Sequence, residues 1–126
     1  MTGIQHRDLA SGRWWALSVL EQLGNVGSEI SRAIRWTSRN SDLAQGALWR
    51  ALELLDLTLA DPAHRKSKAR LREIARTREV VVDFFAGSNY YGSTPAGLQK
   101  YFDAYAMAAR RATAAASASH ASTPQI

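Results

Sequence analysis

The chain has 126 residues, no cysteine, and 16 basic against 11 acidic side chains, a formal net charge of +5. A chain of this length is expected to form one domain around one core. The absence of cysteine excludes disulfides, thiolate metal sites and a cysteine nucleophile. Its uncharged stretches fall short of the ~20 apolar residues that span a bilayer, and no signal peptide is recognisable. We therefore expect a cytoplasmic protein without a membrane segment.

The first half of the chain contains two predicted helices, because apolar residues recur there at helical spacing and no strand-like alternation occurs. The first is predicted at about residues 13–39 and the second at about residues 42–60, after the break Asn40-Ser41-Asp42, which offers N-cap side chains. Gly24 and Gly27 each cost about 1 kcal/mol relative to alanine inside a helix. Their presence indicates that a neighbouring helix approaches closely. The apolar stripe of the first helix is Ala16, Leu20, Leu23, Gly27, Ile30 and Ile34.

The third helix is predicted at about residues 62–86. Asp61-Pro62 marks its start, because aspartate can cap free amides and proline is tolerated in the first turn. Gly87 is expected to close it with a left-handed backbone conformation.

The fourth helix begins with the same kind of signal, a threonine before Pro95, and is predicted at about residues 95–112. Residues 113–126 are rich in alanine and serine without bulky side chains, which predicts a disordered tail. Four helices with short connections favour antiparallel neighbours. The predicted fold is therefore all-α, an antiparallel up-down-up-down four-helix bundle that forms a single domain over residues 1–112.

The third helix carries most of the excess positive charge. Residues 1–60 hold six basic and six acidic side chains, whereas residues 61–126 hold ten basic and five acidic ones. Helical spacing aligns four basic residues over about 16 Å, and two more widen that surface. We call these six residues the basic face: Arg65, Lys66, Lys68, Arg70, Arg72 and Arg76. Such a face can bind along a phosphate backbone or contact the acidic side chains of a protein. The alternative is an ordinary solvated surface without a binding role.

A second basic set is predicted at the end of the first helix, where an aromatic side chain stands beside arginines and could stack on a base or contact another subunit. It consists of Arg32, Arg35, Arg39 and Trp36. On the second helix, Trp49, Glu53 and Leu57 group opposite the apolar arc. Large apolar side chains outside the core often mark contact surfaces, so these three are predicted to form an oligomer interface.

Arg78 is the opposite case, because it falls within the apolar stripe of the third helix. A charge in that position must be paired or reach the solvent. The sequence offers Glu29, Glu53 and Glu79 as partners, and such an interior pair would fix the register of the helices.

Catalytic spacing is not found in the sequence: there is no glycine-rich phosphate loop and no pair of metal ligands at helical spacing. His6, His64 and His120 are far apart in the chain and are not expected to converge. We therefore expect no enzyme, no metal and no cofactor. If the protein were an enzyme, nuclease or nucleotidyl-transfer activity would depend on Glu53 or Asp56.

The pattern of the chain resembles a family of small four-helix-bundle proteins. It comprises the proteins encoded in 23S rRNA intervening sequences and the accessory variability determinant (Avd) proteins of diversity-generating retroelements. The resemblance covers about residues 20–111 and rests on a leucine-rich second helix, here Ala51-Leu52-Glu53-Leu54-Leu55, and an arginine-rich third helix. It also includes Phe84-Phe85-Ala86-Gly87 followed by Ser93-Thr94-Pro95 and an alanine-rich fourth helix.

This resemblance implies a basic, non-catalytic protein that forms rings, pentameric in the Avd branch, and associates with RNA or DNA and with a reverse transcriptase. The basic face would then contact phosphates or the polymerase, and Trp49 or Trp36 would lie between subunits. The alternative function is a bundle that binds another protein, as an antitoxin-like or regulatory partner, without nucleic acid.

Overall fold

The computed structural model describes residues 12–121, with side chains described for residues 12–118. The chain is helical over this range and contains no strand there, so the predicted all-α class is confirmed. A short helical stretch at residues 12–15 precedes the main elements. These are α1 (Val19–Trp36), α2 (Ser41–Leu59), a 3₁₀-helix (Pro62–Lys66), α3 (Lys68–Ala86) and α4 (Pro95–Ala121). None of the helices in this part of the chain is both long and apolar enough to cross a membrane.

Helix α1 is shorter than predicted at both ends. Ser18 caps it in an extended conformation and forms a capping box with Glu21, with hydrogen bonds of 3.2 and 3.1 Å between side chains and backbone amides. Ala16 therefore lies before the helix and is exposed, outside the apolar stripe to which the sequence pattern assigned it. Of the three residues that the sequence offered as caps for α2, Asn40 is the one that caps it, and its side chain accepts from two amides of the first turn.

The core is formed mainly where α1 packs against both α2 and α4. Val26, Ile30, Leu55 and Phe102 are fully buried in it. The close approach predicted from the α1 glycines is confirmed, because a Cβ atom on Gly27 would lie 2.5 Å from Cβ of Phe102. Gly24 meets α4 one turn further along, at 3.0 Å from Cα of Ala106. Helices α1 and α4 therefore touch nearly backbone to backbone.

The predicted third helix is in fact two helices with a break at Ser67. Asp61 caps the 3₁₀-helix by accepting from the Ala63 amide at 2.9 Å. Ser67 has an extended backbone, with φ −128° and ψ 105°, and its side chain accepts from the Arg70 amide at the start of α3. The sequence thus contains a second capping signal within the predicted helix, and a new helix begins after it.

The end of α3 also differs from the prediction. Gly87 has φ −103°, which is not left-handed, and the positive values fall on Asn89 (56°) and Gly92 (64°) in the following loop. The carboxylate of Asp83 closes this loop by accepting from the amides of Tyr90 and Tyr91 at 2.7 and 3.0 Å. The Gly87 amide still closes α3 by donating to the carbonyls of Val82 and Asp83, but without the left-handed conformation that was expected.

Helix α4 continues well past its predicted end at residue 112 and reaches Ala121. Residues 111–118 are exposed along this extension. The predicted disordered tail is wrong for residues 113–121, where alanine has the highest helix propensity and local hydrogen bonding continues. Its last part, residues 122–126, lies outside the described residues.

Candidate nucleic-acid interface

The basic face is solvent-exposed at all six of its positions. The break at Ser67 divides it: Arg65 and Lys66 lie on the 3₁₀-helix, and the other four residues lie on α3. The ladder on one helix is therefore shorter than the predicted 16 Å. It consists of Lys68, Arg72 and Arg76, which span about 12 Å at 1.5 Å per residue.

One acidic side chain, Glu73, lies among these basic residues in the sequence, and it is hydrogen-bonded to α4. Glu73, the one acid between Arg65 and Arg78, accepts a hydrogen bond from the Tyr105 hydroxyl of α4. Burial and this hydrogen bond to Glu73 raise the pKa of Tyr105 far above its ordinary value. Among the residues that the structure describes, the basic face makes no ion pair with a carboxylate. Its positive charge is therefore available to an external anion.

Arg76 has an aromatic neighbour from the loop after α3. Its guanidinium lies 5.8 Å from the centre of the Tyr91 ring, a cation–π distance. The Tyr91 hydroxyl donates to Glu79 at 3.1 Å, and this bond raises the pKa of Tyr91. The end of the ladder thus lies against the loop between α3 and α4.

The second predicted basic set is only partly brought together. Arg32 pairs with Glu29, which is buried and also accepts from Arg50 of α2 at 2.6 Å. Arg32 and Arg35 line a polar groove of about 380 Å³ between α1 and α4, where Arg110 joins them. Of the other two members of the set, Arg39 lies exposed beyond the end of α1 and Trp36 is half-buried.

Two of the three residues predicted to form an oligomer interface are exposed, and the third is buried. Trp49 is 61 % exposed and Glu53 is also exposed, as the pattern indicated. Leu57 is only 5 % exposed and belongs to the core with Trp14, so its assignment to an open surface is wrong. The segment before α1 reaches this end of α2, where the Trp15 ring nitrogen donates to the Leu57 carbonyl at 2.8 Å.

Arg78 does not lie in the interior. It is half-buried and donates to Asp56 of α2 at 2.8 Å, rather than to Glu29, Glu53 or Glu79. Since both side chains of this pair are more than one third exposed, it ties α3 to α2 at the surface and contributes little to stability.

A buried polar cluster joins α1, α2 and the 3₁₀-helix, and the sequence patterns did not reveal it. The Gln22 amide nitrogen donates to Asp61 at 2.8 Å and to the Trp14 carbonyl, and its oxygen lies 2.7 Å from His64 Nε2. Nearby, the Trp14 ring nitrogen donates to Thr58 at 2.9 Å. Gln22 precedes Val26 by four residues on the buried side of α1, and this spacing was the available signal.

His64 is held neutral inside this cluster. It is 2 % exposed, and burial lowers the pKa of its imidazole. Asp61 opposes this shift from 3.6 Å away, whereas Arg70 adds to it. The imidazole therefore helps to pack the 3₁₀-helix against α1. This packing positions the backbone of the neighbouring Arg65 and Lys66.

The carboxylates that could have formed a catalytic or metal site are dispersed over the described residues. Glu53 is exposed, Asp56 pairs with Arg78, and Asp83 binds loop amides. No group of three or more histidine, aspartate or glutamate side chains that could hold a metal ion occurs in the range that the structure covers.

Comparisons of the chain with protein-family models, with curated proteins and with solved structures find no match. The chemistry and geometry of the side chains described above are therefore what supports a function.

Proposed function

We propose that this protein is a non-catalytic, basic accessory protein that binds nucleic acid, RNA or DNA, through its basic face. The observation that carries the proposal is the exposure of six basic side chains between residues 65 and 76, none of which forms an ion pair with a carboxylate among the described residues. Phosphates are the most abundant anions that occur at regular spacing along a chain, and neutralising them releases counterions. Binding by this mechanism needs no bond chemistry.

We further propose that the helices form an antiparallel up-down-up-down four-helix bundle. The packing of α1 against both α2 and α4, and the side-chain bonds from α3 to α2 and α4, support this arrangement. In it, α3 contacts α2 through the surface pair Arg78–Asp56 and α4 through the Thr77–Tyr101 bond. A helix held in this way presents its remaining face, with Lys68, Arg72 and Arg76, to the solvent.

The arginines of the ladder provide the first test. The double variant Arg72→Glu/Arg76→Glu is expected to bind RNA and DNA at least about tenfold more weakly, because a phosphate that no longer meets a guanidinium keeps its counterions. For the unchanged protein, four phosphate contacts would lower the affinity about a hundredfold between 50 and 200 mM salt. Fluorescence anisotropy with labelled oligonucleotides over a salt series measures both effects.

The matched control is Lys100→Glu/Arg111→Glu, which changes the net charge equally at exposed positions of α4. It should retain most of the affinity and the salt dependence, and circular dichroism should show equal helicity for both double variants. Equal losses of affinity in the two double variants, or binding that does not depend on salt, would contradict the proposal.

The proposal includes self-association through the face of α2 that carries Trp49 and Glu53. A tryptophan that is 61 % exposed on a helix whose other face packs in the core is a candidate contact residue. Trp49→Lys is therefore expected to convert the oligomer to a smaller species in sedimentation velocity. Met107→Lys, which replaces another exposed apolar side chain on α4, should sediment as the unchanged protein does. A protein that is monomeric at high concentration would disprove this part.

The resemblance to 23S rRNA intervening-sequence and Avd proteins suggests a reverse transcriptase as a second partner, a pentameric ring and an activity in the cytoplasm. We keep these as parts of the proposal. The alternative is a bundle that binds only another protein, whose acidic side chains would occupy the basic face. Copurification with a protein, together with no affinity for RNA or DNA at low salt, would favour that alternative.

A further inference from the structure

A groove of about 560 Å³ opens between α3, the loop that follows it and the first turns of α4. Its deepest lining is apolar and comes from both helices: Val81, Leu98 and Phe102 are buried there. Tyr101 also lines it and is 37 % exposed, so part of this aromatic ring is accessible. The groove therefore offers an apolar floor and an aromatic wall to the solvent.

The aromatic wall is held in place by its neighbours. The ring of Tyr101 packs edge to face on Phe102 and Tyr105, with centroids 5.2 and 5.3 Å apart. Its hydroxyl lies 2.8 Å from the hydroxyl of Thr77, which also lines the groove. A stacking surface that is fixed before binding loses little rotamer freedom when a ligand arrives.

The groove is continuous with the basic face through Arg76. This residue ends the ladder, is exposed and lines the groove. The acid that lines the same groove, Glu73, accepts from Tyr105. A ligand that suits both features combines a flat apolar ring with a neighbouring negative charge.

We propose that the groove receives an unstacked base of single-stranded nucleic acid, while the adjoining phosphates contact Arg76 and Arg72. This inference rests on the proposed function and specifies its substrate class as single strands. A base inside a duplex is paired and stacked on both faces and cannot enter, whereas an unpaired base can stack on an aromatic side chain and use its edges for hydrogen bonds. The hydroxyls of Thr77 and Tyr101 bond each other, so the groove would hold the base mainly through the ring of Tyr101 and its apolar lining.

The test compares three labelled nucleic acids of equal length: a thymidine strand, the same strand with abasic residues, and a duplex. The full chain should bind the thymidine strand at least about fivefold more tightly than the abasic strand, since base stacking on an aromatic side chain adds affinity. Tyr101→Leu should remove this difference and leave the affinity for the abasic strand unchanged. Tyr101→Phe, which keeps the ring, should preserve the difference.

Two further variants keep the test independent of folding defects at Tyr101. Val80→Leu narrows the groove from α3 without adding an aromatic ring and should also weaken the preference for bases. Tyr90→Leu removes a highly exposed tyrosine that does not line the groove and should have no effect. A strand that carries 5-iodouracil should crosslink to the tryptic peptide spanning residues 101–110, which contains the groove aromatics.

The outcomes separate this inference from the function on which it rests. Equal affinity for the thymidine and abasic strands, or crosslinks that fall outside the groove, would overturn the base site while phosphate binding stands. Stronger binding of the duplex that Tyr101→Leu does not change would overturn it as well. Failure of all three nucleic acids to bind at low salt would overturn the proposed function, and the base site with it.

Discussion

Gly27→Ala is expected to lower the free energy of unfolding by about 1–3 kcal/mol, although alanine is the better helix former. The added Cβ atom would lie 2.5 Å from Cβ of Phe102, an atom fixed directly to the backbone of α4. No side-chain rotation removes that overlap, so α1 and α4 must separate. Separation would loosen a core to which Phe102 contributes the largest fully buried side chain. Chemical denaturation followed by circular dichroism measures the change.

Gly46→Ala is the matched control on α2. A Cβ atom there meets only the far end of the Arg50 side chain, at 3.5 Å. The substitution should therefore raise the free energy of unfolding by about 0.5–1 kcal/mol through helix propensity and reduced freedom of the unfolded chain. Opposite signs for the two glycines support the close helix contact, whereas stabilisation by both would show that α1 and α4 are further apart.

Asp61→Ala is expected to lower the free energy of unfolding by about 3 kcal/mol. The carboxylate caps the 3₁₀-helix through the Ala63 amide, and removing a cap costs about 1 kcal/mol. It also accepts from the buried Gln22 amide, and a buried donor left without its partner costs a further ~1–3 kcal/mol. Denaturant unfolding of this variant and of the unchanged protein gives the difference.

The comparison for Asp61 is Asn40→Ala, because Asn40 caps α2 at an exposed position and bonds no buried group. It should cost only about 1 kcal/mol. If both substitutions have the same small effect, the Gln22–Asp61 bond does not contribute to folding and the polar cluster is incidental to it.

The helices of this protein could be predicted largely because apolar periodicity and caps are local signals. The cap of α2 was predicted within the break Asn40-Ser41-Asp42, and Asp61 was correctly taken as a helix cap, although the helix that it caps ends at Lys66. The close approach at the α1 glycines was predicted because glycine is costly inside a helix. The break at Ser67 was missed because basic residues continue through it without a change in composition. An N-cap serine within a polar stretch is hard to distinguish from a solvated helix position.

The site was less predictable, because its decisive features join residues that are distant in sequence. The sequence does not indicate that Glu73 bonds to Tyr105, 32 residues away, or that it forms no ion pair with the basic residues around it. Leu57 was assigned to an open surface because the helical pattern of α2 does not reveal what the segment before α1 covers. His64 was considered only as one of three histidines that would not converge, and its bond to Gln22, 42 residues earlier, could not be predicted.

The 3₁₀-helix between α2 and α3 affects the entropy cost of binding an anion to Arg65 and Lys66. Arg65 and Lys66 belong to a five-residue element whose His64 and capping Asp61 are bonded to Gln22 in the core. A short loop carrying the same charges would have to be immobilised when an anion bound, and that ordering would oppose association. In this protein the backbone of Arg65 and Lys66 is already ordered when the chain folds. It can move freely only when the buried bonds to α1 are broken, so its local opening is tied to the stability of the core.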